Sequence, residues 1–223
     1  MKLILFFSIF VYLFFLQSPA WGEADCPNIF SSPRSTTPKR FYQHQATLNR
    51  LVCEVLDDIF PELQKMKIVI RPLKMGSTFF ATLPAPVNLV KKRNKRYLFL
   101  FNPLVLNKKG LNTLDNGLKG IIAHELAHIV RYFHGSRKDF FDLRFIYRNI
   151  ELRIEHEYKT EYLAIERSLK TKENDKFYYI RELIKFRNWL YSQLSEQELI
   201  TKREVYPTPE ELKHYIQQRR IRH

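Results

Sequence analysis

Acidic side chains are in short supply in this chain. Its 23 Asp and Glu stand against 37 Lys and Arg, a formal net charge of +14. Such an imbalance suits anionic partners, a membrane surface or a cell-wall polymer among them. Nucleic acid is not expected to be one, because no nucleic-acid-binding motif accompanies the charge. Internal repeats are also lacking, which excludes a solenoid or an array. Past the first sixteen residues no apolar run is long enough to cross a bilayer. Cysteine is scarce too, and Cys26 and Cys53 allow one bridge at most.

What is present describes a folded protein. Hydrophobic residues make up 45% and aromatics 14%, and 223 residues suffice for one domain with a proper core. The chain opens with Lys2, the apolar run LILFFSIFVYLFFLQ, and then SPAWGEADC. A charged start, an apolar middle and small residues at the end predict a signal peptide over residues 1–22. As a helix this run reaches roughly 20 Å against about 30 Å of hydrocarbon, so an uncleaved membrane anchor is the alternative. The expected location is therefore periplasmic or secreted. In an oxidising compartment Cys26 and Cys53 could pair, tying the mature N-terminus to the first helix. Neither cysteine lies near the histidine motif discussed below. The densest basic cluster, KKRNKR at residues 91–96, reads as a solvated loop that could rest on an anionic surface.

Residues 23–40, rich in Ser, Pro and Thr, predict an extended leader, and residues 41–223 a single domain. If the leader blocks a cleft, the protein is a zymogen. Helical apolar spacing runs from about 41 to 60 and ends at Pro61. Strands are expected at KIVIRP (67–72), STFFATL (77–83) and RYLFLFNP (96–103). The rest reads as helix: from about 113 to Gly135, from 142 to 171, from 174 to 194, and after PTPEEL (207–212). Helix, short strands and then helices define an α+β class.

The central motif is HELAH. On a helix His124 and His128 lie one turn apart on one face, so both imidazoles can reach a single ion. Glu125 points to a neighbouring position, where it can take a proton from metal-bound water without being a ligand. With independent draws, this composition yields HExxH about 0.02 times by chance. The surrounding GIIAHELAHIV is apolar almost all the way round, which predicts a buried helix whose polar groups need partners.

Zinc needs a third protein ligand. His134 stands where the extended metzincin motif places its last histidine, but that motif needs glycine three residues after the second histidine, and here the residue is Arg131. On a continuing helix His134 is about 9 Å further along the axis and on a different face. It remains the alternative ligand. The next helix offers a better one. Glu151, Glu155, Lys159 and Glu166 share a solvated stripe with Arg148, whereas Glu157 and Glu161 share one with Ile150, Ile154, Ala164 and Ser168. Two inward carboxylates are costly unless a cation or arginines meet them. Glu157 is the expected ligand, and Glu161 the acceptor for the second ring N–H of a zinc-bound histidine.

HExxH followed by EYKTEYLA, with Glu157, Glu161 and Ala164, resembles the gluzincin zinc metallopeptidases, whose pattern is HExxH plus E-x-x-x-D. Glutamate at 161 in place of aspartate is a departure. YLFLFNPLVL looks like that clan's edge strand, and the likeness spans about residues 65–170. It implies a zincin-like fold, a small twisted sheet over two packed helices. It also implies a peptidase with one zinc per chain, Glu125 as general base on zinc-bound water, and peptide or protein substrates. The N-terminal run would make that peptidase secreted or periplasmic. Tyr158, Tyr162, Tyr206, His156 and His214 are the candidates for a second oxyanion donor. The competing reading is a non-catalytic exported zinc-binding protein whose basic surface binds an anionic polymer or membrane.

Overall fold

Residues Leu48, Leu51, Val52, Val55, Leu56 and Ile59 recur at helical spacing and are all buried, which gives helix α1 (Arg40–Ile59) its inner face. Pro61 then opens a short 3-10 turn, Pro61–Lys65, as expected of a residue with no N–H to donate. The structure is a computed structural model and describes residues 22–23, 29–31, 40–73, 75, 78–84, 96–103, 117–131, 143, 145–171 and 175–221. The strands are β1 (Gly22–Glu23), β2 (Ile29–Ser31), β3 (Lys67–Pro72), β4 (Phe80–Pro84) and β5 (Arg96–Phe101). The later helices are α2 (Leu118–Arg131), α3 (Ile150–Ser168), α4 (Tyr178–Tyr191), α5 (Glu196–Val205) and α6 (Pro209–Ile221). The α+β class holds.

The sheet order is β1-β2-β3-β5-β4. β5 runs parallel to β3, with Ile68 opposite Tyr97, and antiparallel to β4, with Thr82 opposite Phe99. This overturns the expectation that residues 96–101 form the edge. Every residue of β5 after Arg96 is buried, the pattern of a strand covered on both faces, and β4 is the outer strand instead. The leader contributes β2 and Glu23 of β1, whose other residue, Gly22, is the last of the predicted signal peptide, and β2 pairs with β3 at the opposite side of the sheet from β4.

One sheet face, carrying Ile68, Ile70, Tyr97, Phe99 and Phe101, packs with α1, α2 and α4 into the main core. A smaller cluster of Ile165, Ile180, Leu183, Ile184, Leu212 and Ile216 joins α3, α4 and α6. Helices α2 and α4 approach through glycine. Gly117 has φ of +77°, and a Cβ there would lie 1.9 Å from the Glu182 carbonyl oxygen. A Cβ on Gly120 would lie 2.2 Å from the Leu183 backbone nitrogen, so any larger residue forces the helices apart.

Two helix readings need correction. The long helix expected from 142 is interrupted: Leu143, Phe145 and Ile146 are helical, residues 147–149 turn, and α3 starts at Ile150, where the Asn149 side chain accepts from the backbone N–H of Glu151 and Leu152. Helix α5, which falls between two predicted helices, begins at a reciprocal Ser195–Glu198 capping box. Cys53 is disulfide-bonded, while Cys26, the other cysteine, lies outside the described residues. So do the apolar N-terminal run, residues 91–95 of the basic cluster, and His134. Among the described residues no helix is long and apolar enough to cross a membrane.

Candidate metal centre

Helix α2 carries His124, Glu125 and His128 into the interior, all buried, because its apolar residues surround them on nearly every side. Helix α3 crosses α2 and delivers Glu157 and Glu161, also buried, from the row that ends in Ala164 and Ser168. The opposite stripe behaves as expected, since Glu151, Glu155, Lys159 and Glu166 are all exposed. Ile150 departs from its row, being 51% exposed at the start of the helix.

One ligand atom each from His124, His128 and Glu157 lies within 4.8 Å of the others. The Glu157 Oε2 atom stands 3.2 Å from His124 Nε2 and 3.3 Å from His128 Nε2. Two ligands about 2.0–2.1 Å from a tetrahedral zinc ion stand about 3.3 Å apart, so these spacings fit such an ion. Two imidazoles and one carboxylate also form a donor set of the kind that catalytic zinc takes. A buried group of His124, His128 and Glu157 thus has the composition and spacing to hold a metal ion.

The surrounding bonds fix each group. Glu161 Oε2 meets His124 Nδ1, the second-nitrogen contact expected of a ligand histidine. Its other oxygen accepts from Arg187 at 2.8 Å. Arg187 also donates to the Pro207 carbonyl, so the same guanidinium ties α4 to the α5–α6 link. His128 Nδ1 faces Thr160 Oγ1 at 3.3 Å, and Tyr147 donates to Glu157 Oε1 at 2.9 Å. Arg131, at the place where the metzincin motif needs glycine, bonds the His156 carbonyl and Thr160 Oγ1, the latter at 3.1 Å. It thereby ties the end of α2 to α3.

Burial opposes charge on His124, but Glu161 and Glu157 outweigh it and hold its pKa up to about 10. Glu157 is likewise penalised by burial, yet His128 and His124 bring it well below the carboxylate range. Burial also works against ionised Glu161, and Arg187 and His124 reverse the balance and lower it. A proton on His124 thus balances the metal-free cluster. Burial, followed by the electrostatic influence of its neighbours His128 and Arg131, pushes His156 down to about 3, and its ring stacks on His128 at 5.3 Å.

Glu125 faces the cleft beside this cluster and accepts a hydrogen bond of 3.0 Å from Thr82 on the edge strand. The cleft is also lined by Phe80, Phe186, Lys202 and Tyr206, and encloses about 60 Å³. Ligand pockets commonly hold about 300–1,000 Å³, so this cleft has room for a small group only. Of the five oxyanion candidates, Tyr206 alone joins His124 and Glu125 in lining the cleft. Its ring centre is 6.0 Å from that of His124. His214 is exposed and paired with Gln218, while Tyr158 and Tyr162 lie against each other. Arg187, Lys202, Thr82 and Tyr147 were not anticipated. The spacing of α3 reveals its inward face, but nothing in the sequence links a cation in α4 to it.

No family model matches the chain, and neither a curated protein nor a solved structure resembles it.

Proposed function

We infer that this chain is a zinc-dependent peptidase, with zinc on His124, His128 and Glu157 and Glu125 as general base. The convergence of those three ligand atoms within 4.8 Å, with Glu157 at tetrahedral-edge spacing from each histidine and Glu125 beside them in a cleft, carries the reading. A bound zinc ion would supply Lewis acidity and lower the pKa of water. The protein's part is then orientation and proton transfer. Glu125, steered by Thr82, takes the proton of the attacking water and hands it to the leaving amine.

Tyr206 supplies the donor for the developing oxyanion. Burial, and then the negative charge of Glu157, raise its pKa, so the hydroxyl keeps its proton at neutral pH. Glu161 holds His124 in one orientation, and Arg187 holds Glu161. An extended peptide can add to β4, the outer strand, by main-chain hydrogen bonds, with its scissile carbonyl near Thr82 and Glu125. The zincin-like fold and an exported location belong to the same reading. They rest on the sheet-and-two-helix arrangement and on the N-terminal sequence respectively.

The test is zinc per chain together with peptide hydrolysis for the full chain and for Glu125→Gln. The variant is expected to bind zinc like the parent and to lose roughly 10²–10⁴ in rate. A parent chain that takes up no zinc would sink the reading.

A further inference from the structure

The cleft holds more positive charge than the metal ligands need. Lys202 reaches it from α5 and lies with its ammonium 5.3 Å from the centre of the Tyr206 ring. Among the described residues no carboxylate stands within ion-pairing distance of Lys202. Arg153, one helical turn before Glu157, sits beside the Tyr206 hydroxyl and near Lys202. It too lacks a carboxylate partner among the described residues, and its buried Nε has no hydrogen-bond acceptor. Arg187, by contrast, is committed to Glu161.

A charge count shows what this means. The carboxylates Glu125, Glu157 and Glu161 are matched by Arg153, Arg187 and Lys202. A divalent ion on His124, His128 and Glu157 would therefore leave this group of side chains, of which Glu125, Arg187 and Lys202 line the cleft, with two positive charges uncompensated. An ammonium taken out of water without a counter-ion costs free energy unless an anion arrives. Burial, followed by the nearby charge of Arg153, lowers the Lys202 pKa, which is the mark of that cost.

Resting on the peptidase reading above, we propose that Lys202, assisted by Arg153, is the specificity-determining pair for a substrate carboxylate close to the scissile bond. Such a carboxylate has two sources, the free C-terminus of a short peptide or the side chain of an Asp or Glu. Both place a planar anion next to the cleaved amide, and the shared chemistry is an ammonium and a guanidinium on one carboxylate.

Binding and hydrolysis of three N-blocked peptides by the full chain test this, calorimetry giving affinity and Glu125→Gln preventing turnover during titration. One peptide ends in a free carboxylate, the second is its C-terminal amide, and the third is the amide with glutamate as last residue. The zinc-loaded parent is expected to bind at least one of the two anionic peptides about tenfold to a hundredfold more tightly than the neutral amide. Preference for the free acid alone assigns the C-terminal carboxylate, and equal gain from the glutamate peptide assigns an acidic side chain.

Placed in the same Glu125→Gln background, Lys202→Met should erase the gain and Lys202→Arg should restore most of it. Lys159→Met, at an exposed ion pair far from the cleft in character, should leave it intact. Thermal unfolding checks that each variant is folded. Equal affinity of the parent for all three peptides overturns the proposal, as does a gain that survives Lys202→Met. Anion preference without any hydrolysis by the Glu125-containing parent would leave the carboxylate site standing and remove the peptidase.

Discussion

Helix α3 carries two carboxylate–cation arrangements that begin alike and end differently. Glu155 and Lys159, four residues apart on the outer face, form an exposed ion pair. Glu161, on the inner face, meets Arg187 and His124 with no exposure at all. Water solvates the first pair whether or not it forms, so it is worth little. The second arrangement has no such alternative, and each member leaves a buried charge exposed to an apolar core if its partner goes. Burial, then, decides which glutamates can serve a metal site, and residue type does not.

The sharpest way to break this contrast is at Glu157. Glu157→Gln should weaken zinc binding by more than the about 10–100-fold that loss of a ligand's own hydrogen-bond partner costs. Competition with a chromophoric chelator reads that change, and an unchanged affinity would return His134 to the ligand set. Arg187→Met should come next. It strands Glu161 and is expected to destabilise the fold by about 3–5 kcal/mol, measured by urea unfolding. Stability near that of the parent would mean that the guanidinium is not needed inside.

The pH response of the metal-free protein sharpens the comparison further. His124 is raised from 6.5 to about 10, so its contribution is fully present below pH 6.5 and is lost as pH rises through about 10. Glu157 and Glu161 are lowered from 4.5, so theirs is present above pH 4.5 and lost as pH falls through their folded values. Unfolding midpoints of the metal-free chain should therefore peak between pH 4.5 and 6.5 and fall on the alkaline side. Zinc must displace the His124 proton, so its affinity should climb over the same alkaline range, with proton release visible in calorimetry. A flat profile above pH 6.5 would contradict the protonated cluster.

Smaller effects follow. Thr82→Val removes one hydrogen bond to Glu125 and should lower the hydrolysis rate roughly fivefold, about 1 kcal/mol, without changing zinc content. Smallest of all, Lys159→Ala on the outer face should leave both unfolding and zinc binding unaltered within error, since that pair stands in solvent.

The inward row of α3 was legible because its period is that of a helix and its residues are glutamates where apolar side chains belong. The class of the fold was legible for a similar reason, strands and helices differing in period. The order of the strands was not, because pairing is set by contacts distant in sequence. Even so, RYLFLF held a clue, since a strand apolar on both faces fits the middle of a sheet better than its rim. Helix α5 escaped because it has almost no buried face, with Val205 its one buried residue, although Ser195 and Glu198 announce its start. The cost of missing it was Lys202 and the correct place of Tyr206. Arg187 could not have been assigned, because only the folded crossing of α3 and α4 brings it to Glu161.

The glycine contact between α2 and α4 acts as a datum for the site. Gly120 lies one turn before His124, and Leu183, against whose backbone it rests, lies one turn before Arg187. Both later residues grip Glu161. Positional error between two rods grows with distance from the point where they touch, and here that distance is a single turn, about 5.4 Å. Thermal sway elsewhere in either helix thus reaches the candidate ligands with little leverage, and the tolerance of the candidate metal site is set by a residue that has no side chain.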